Sequence, residues 1–93
     1  MFSMNVSADY YDGNDLLKMA NHSDPIAGYM ARGYVAGVQD SFNGEHFCVP
    51  INVKLSQSYE IVIKYIKSDP KQWHLAGKNL IIRALSDAFP CKK

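Results

Sequence analysis

The chain has 93 residues, 47% of them hydrophobic and 12% aromatic, which suits one small domain with a core and excludes a disordered tail. Ten Lys and Arg balance nine Asp and Glu, and a net charge of +1 gives no electrostatic footprint for nucleic acid or an anionic membrane. No run reaches the roughly 18 apolar residues of a membrane-spanning helix, and "MFSMNVSADYYDG" lacks the basic start and long apolar segment of a signal peptide.

The predicted elements are helical. Residues 1–12 show no clear period and read as an N-terminal arm; residues 13–93 read as a single helical domain. Asn14 is the expected N-cap of a short first helix reaching about Ala20, since Asn accepts an otherwise orphan backbone N–H. Asp24-Pro25 is a second start signal, with Asp at the cap and Pro in the first turn. From there Ile26, Met30, Tyr34, Val38 and Phe42 recur every four residues and trace one slowly drifting stripe along a long helix ended by Asn43-Gly44. Gly28, Gly33 and Gly37 lie within that helix, where each costs about 1 kcal/mol against alanine. Their number predicts close packing against another backbone, within the chain or across a dimer.

Residues 45–54 read as loop. A third helix is expected over about Leu55 to Lys67, with Leu55, Tyr59, Val62, Ile63 and Ile66 on one face. "SDPKQWH" at residues 68–74 is a turn, and a fourth helix runs from about Leu75 to Ala88 with Leu80, Ile81, Ala84, Leu85 and Ala88 inward. Pro90 stops it. The fold class is therefore all-α, a small four- to five-helix bundle.

Cys48 and Cys91 both flank helix ends rather than lying in an apolar stripe, where a buried free thiol is more at home. Two loop cysteines and no third suggest one disulfide; two unrelated reduced thiols are the alternative. Closing a loop across their sequence separation of 43 is worth about 4 kcal/mol in the chain-entropy model. Such a bond implies an oxidising compartment. A chain this short also gains much from a staple or an oligomer interface.

Nothing in the sequence supports catalysis. His22, His46 and His74 share no helical ligand spacing, and Cys48 has no near partner at the spacing a metal needs. His46 and Cys48 alternate in a loop, but a Cys–His nucleophile also needs an orienting group and an oxyanion hole, and no motif supplies them. No cofactor motif is present. Binding is the stronger reading. Trp73, beside Lys71 and His74 in the polar turn, combines large apolar area with one N–H donor, although covering the end of the core is the slightly favoured use for it. The other candidate loop, "NGEHF", offers Asn43, Glu45 and His46. Tyr10 and Tyr11 are either an exposed aromatic pair or a cover for the core.

In order and spacing, "GNDLLKMANHSDP", "GYVAGVQDSF", "FCVP" and "IVIKYIKSDPKQWHLAGKNLIIRALSDAFPCK" resemble the Tai/Rap family, small periplasmic immunity proteins of bacterial type VI secretion systems. The resemblance covers about residues 12 to 92. It implies an all-α fold, a Cys48–Cys91 disulfide, often a homodimer, and a periplasmic location with the signal peptide removed or outside this chain. It implies one partner above all: a papain-like cysteine peptidoglycan amidase whose active-site cleft the immunity protein blocks. Many relatives have a second cysteine pair where Ala20 and Met30 stand here, so the first helix is expected to be held less firmly. A small periplasmic acid-stress chaperone, similar in size and disulfide content, is the alternative.

Overall fold

A computed structural model describes residues 11–92. Four α-helices follow one another: α1 (Gly13–Ala20), α2 (Pro25–Phe42), α3 (Leu55–Lys67) and α4 (Gly77–Ala88), with a single 3-10 turn at Pro70–Gln72 before α4. There is no strand among the described residues, and the all-α bundle expected from the helical periods is the fold observed. None of these helices is long and apolar enough to cross a membrane.

The caps explain where the helices begin. Asp12, not Asn14, caps α1: its Oδ1 accepts from the Asp15 N–H at 2.9 Å, and Asp15 Oδ2 accepts from the Asp12 N–H at 3.1 Å. This reciprocal pair satisfies two donors that a helix start leaves orphaned. Asn14 instead lies inside the first turn, and its N–H and Nδ2 both donate to the Trp73 carbonyl, at 3.0 and 3.2 Å. Asp24 Oδ1 accepts from the Ile26 N–H at 3.0 Å with Pro25 opening α2, as expected. α4 starts at Gly77 rather than Leu75 because Ala76 forms an isolated antiparallel bridge with Asp12. The Gly13 N–H donates to the Leu75 carbonyl at 3.1 Å, and the Gly77 N–H donates to the Tyr11 carbonyl at 2.7 Å. Tyr11 and Asp12 are thereby tied to the body, and the Tyr11 ring meets Tyr34 edge-on at 5.0 Å. Tyr10 and the rest of the expected arm lie outside the described residues.

The core joins Leu16 and Leu17 of α1, Ala31, Val35 and Val38 of α2, Val62, Ile63 and Ile66 of α3, and Leu80, Ile81, Ala84 and Leu85 of α4. Phe47 and Val49 of the α2–α3 loop complete it. α3 and α4 present the expected faces, except that Leu55 and Ala88 are exposed. α2 does not. Ile26 and Met30 are 61% and 52% exposed, and Tyr29 between them is 66% exposed. A strict four-residue repeat advances about 40° per step on a helix of 3.6 residues per turn, so the predicted stripe winds off the buried face. The inward line is Ala31, Tyr34, Val35, Val38 and Phe42, and the first six residues of α2, Pro25 to Met30, include no buried one.

The glycine expectation is corrected in the same way. Among the described residues, a Cβ at Gly28, Gly33 or Gly37 would meet nothing within 4 Å, so none of these glycines seats another described part of the chain. The close approaches are at Gly13 and Gly77. A Cβ on Gly13 would lie 2.9 Å from the Trp73 carbonyl oxygen, and one on Gly77 would lie 2.8 Å from that of Tyr11. Those two glycines let α1 and α4 start side by side.

Candidate functional site

The two candidate loops occupy opposite ends of α4. The Ser86 hydroxyl, near its C-terminus, donates to the His46 carbonyl at 2.8 Å, and the Cys48 N–H donates to the Phe89 carbonyl at 2.8 Å. The 68–74 turn instead meets the start of α1 through the Trp73 carbonyl and leads directly into the start of α4. Twelve helical residues separate the ends by about 18 Å. Asn43, Glu45 and His46 are therefore not brought together with Lys71, Trp73 and His74.

The 43–49 loop is stiff by construction. Cys48 is bonded to Cys91, with 4.9 Å between their Cα atoms, and no free cysteine remains. The disulfide expected from position and resemblance is the one present. With its sulfur in that bond, Cys48 has no thiolate to attack a substrate beside His46. Gly44 takes φ 97°, a left-handed backbone that favours glycine, and its N–H donates to the Phe47 carbonyl at 2.7 Å. Phe47 and Val49 plug the loop into the core while Asn43, Glu45 and His46 stay exposed. Asn43 is occupied locally: its Oδ1 accepts from the Val49 N–H at 2.8 Å. The His46 ring rests against Phe42, 5.3 Å between centroids. What remains outward is the Glu45 carboxylate and one side of the His46 imidazole.

The second loop is knitted from within. Asp69 accepts from the Lys71 N–H at 3.2 Å and from Gln72 Nε2 at 2.9 Å, and Arg83 donates to Gln72 Oε1 at 3.0 Å. Trp73 is half-buried against the core, and its Nε1 donates to the Ile66 carbonyl at the end of α3, at 2.7 Å. Its one donor is therefore spent on joining α3 to α4. Lys71 and His74 are exposed. Among the described residues, no group of three or more His, Cys, Asp or Glu is placed to hold a metal ion.

Ile51 escaped the sequence reading. It is fully exposed in the Pro50–Val53 turn, directly after the disulfide-held loop. The available signal was a β-branched residue in a turn, where Gly, Asn, Asp and Ser dominate.

The family model of the Rap1a immunity proteins matches residues 12–91. The chain belongs to that family. The match spans α1 to α4, both candidate loops and both cysteines. Membership makes this an immunity protein with a cognate type VI effector as its binding partner. No curated protein is similar enough to match it.

Proposed function

We propose that this Rap1a-family protein acts in the periplasm, where it binds a papain-like cysteine peptidoglycan amidase delivered by type VI secretion and blocks its active-site cleft. The observation that carries this reading is the Cys48–Cys91 bond at the base of an exposed, internally satisfied loop. A loop already held in one conformation loses little entropy on entering a cleft. Glu45 enters opposite the catalytic histidine or main-chain donors of the enzyme, and His46 lies beside it. Lys71 and His74, at the far end of α4, touch the enzyme outside the cleft. The disulfide suits an oxidising compartment. The family match favours effector binding over the acid-stress chaperone.

The homodimer that the family resemblance suggests has a matching face on α2. Ile26, Tyr29 and Met30 are exposed at adjacent helical positions, and the groove beside them is lined by Tyr11, Met19, Ala27 and Met30 together with the charged Asp15 and Lys18. Gly33 and Gly37 lie exposed further along α2, where a second backbone can approach.

Calorimetry against purified papain-like peptidoglycan amidase effectors, with peptidoglycan hydrolysis followed in parallel, tests the function. Tight binding with loss of hydrolysis is expected. Glu45→Ala and His46→Ala should weaken both while leaving the Tm unchanged. Unaltered hydrolysis at saturating protein would refute inhibition. Sedimentation of Met30→Glu, expected to be monomeric where the native protein is dimeric, tests the α2 face.

A further inference from the structure

The loop between α2 and α3 makes two excursions from the body. The first, residues 43–47, carries Glu45 and His46. The second is a four-residue turn closed by the Val53 N–H donating to the Pro50 carbonyl at 3.0 Å. Its tip is held on both sides. Val49 before it is buried and tied to Asn43, Cys48 is bonded to Cys91, and Val53 after it packs on the core. The chain then enters α3 at Lys54, whose N–H donates to Gln57 Oε1 at 2.8 Å. Ile51 stands on this rigid tip with its whole side chain in solvent.

Folding does not account for isoleucine there. The side chain buries nothing, and tight turns favour small or polar residues. Single exposed apolar residues are common. This one is both fully exposed and preorganised, and it lies within three residues of the disulfide that positions Glu45 and His46. A buried apolar anchor ringed by polar contacts is the usual anatomy of a tight interface.

We infer that Ile51 is the apolar anchor of the effector interface, inserting into a hydrophobic subsite beside the partner's catalytic cleft, with Glu45 and His46 on its polar rim. The inference rests on the inhibitory function proposed above. The tip carries one large aliphatic side chain wholly in solvent, so it fits a concave site on an enzyme. It does not fit a symmetric contact with a second copy, to which it would bring a small part of the roughly 800 Å² per partner that a stable interface buries.

The test is the affinity of Ile51→Val, Ile51→Ala and Ile51→Asp for the papain-like peptidoglycan amidase effector that the native protein binds in that calorimetry, alongside their Tm. Expected is a graded loss, smallest for Val, about 10-fold or more for Ala and larger still for Asp, with Tm within about 1 °C of the native protein. Equal affinity of all three with the native protein overturns the anchor while leaving inhibition intact. Loss only for Asp overturns the apolar subsite, because a snug pocket must distinguish Ala from Ile. Failure of the native protein to bind the amidase overturns the function and the anchor together. Sedimentation should show the same oligomeric state for all variants; a change confined to Ile51→Asp would assign the tip to self-association instead.

Discussion

Asn43 and Val49 are locked together across the loop that follows α2: the Asn43 Oδ1 accepts from the Val49 N–H at 2.8 Å, closing residues 43–49 into a compact lobe. Asn43 thus serves the loop's shape before it serves any partner. Asn43→Ala leaves a part-buried N–H without its acceptor, at a cost of about 1–3 kcal/mol. Asn43→Asp keeps the oxygen. The Val49 amide should therefore exchange with solvent at least about tenfold faster in the alanine variant and near the native rate in the aspartate variant. Equal acceleration in both would mean that the side chain does not hold the loop.

The glycines divide into two classes with opposite expected behaviour. Gly13 and Gly77 sit where an added methyl would press on backbone carbonyls at 2.9 and 2.8 Å, so Gly→Ala at either forces α1 and α4 apart. Each should lower stability by about 1–3 kcal/mol. Gly33→Ala and Gly37→Ala place a methyl in open space on a helix interior, and each should raise stability by about 0.4–1 kcal/mol. If a second copy packs on that face, the same two substitutions also weaken self-association. Urea denaturation of the four variants separates the classes, and destabilisation by Gly33→Ala would show that its surroundings are crowded.

These glycines also mark where the sequence stopped being legible. Helix boundaries are governed by short-range chemistry, and Asp24-Pro25 and the periods of α3 and α4 led to the observed elements. Which glycine meets a backbone depends on how helices distant in sequence are stacked. Nothing near Gly77 announces that the Tyr11 carbonyl will lie against it. The α2 stripe holds at Tyr34, Val38 and Phe42 but not at Ile26 and Met30, because a four-residue repeat and a 3.6-residue helix part company over 18 residues. Trp73 illustrates the same limit at the candidate site. Its type suits an interface, but only the fold reveals that its donor is taken by the Ile66 carbonyl. The disulfide-braced loop was recognisable because both cysteines lie in loops, whereas Ile51 needed the turn to be seen as rigid.

The disulfide should dominate the stability of so small a domain. Reducing Cys48–Cys91 frees a 43-residue span in the unfolded chain and removes the tether between the loop after α2 and the end of α4. A loss of about 2–4 kcal/mol is expected. At 4–8 °C per kcal/mol for a domain of this size, the Tm should fall by roughly 10 °C or more. A fall of less than about 2 °C on full reduction would show that the loop is held by Phe47, Val49 and their hydrogen bonds alone.

Tyr59 gives the bundle a specific alkaline weakness. The residue is buried on α3, and burial raises its phenol above the ordinary value of 10.0; Arg32, whose guanidinium lies 5.2 Å from the ring centroid, pulls it partly back, and Glu60 adds to the rise. The folded protein therefore holds this proton more tightly than the unfolded chain does. Its contribution to stability is complete below about pH 10 and is lost as pH rises from there through the folded value. Tyr59→Phe has no proton to lose, so its stability should fall less steeply over that window than that of the native protein. Lysine titration is common to both proteins and drops out of the difference. Denaturant midpoints measured at pH 8, 10 and 11 provide the comparison. Parallel declines would mean that the Tyr59 hydroxyl reaches enough water to ionise in place.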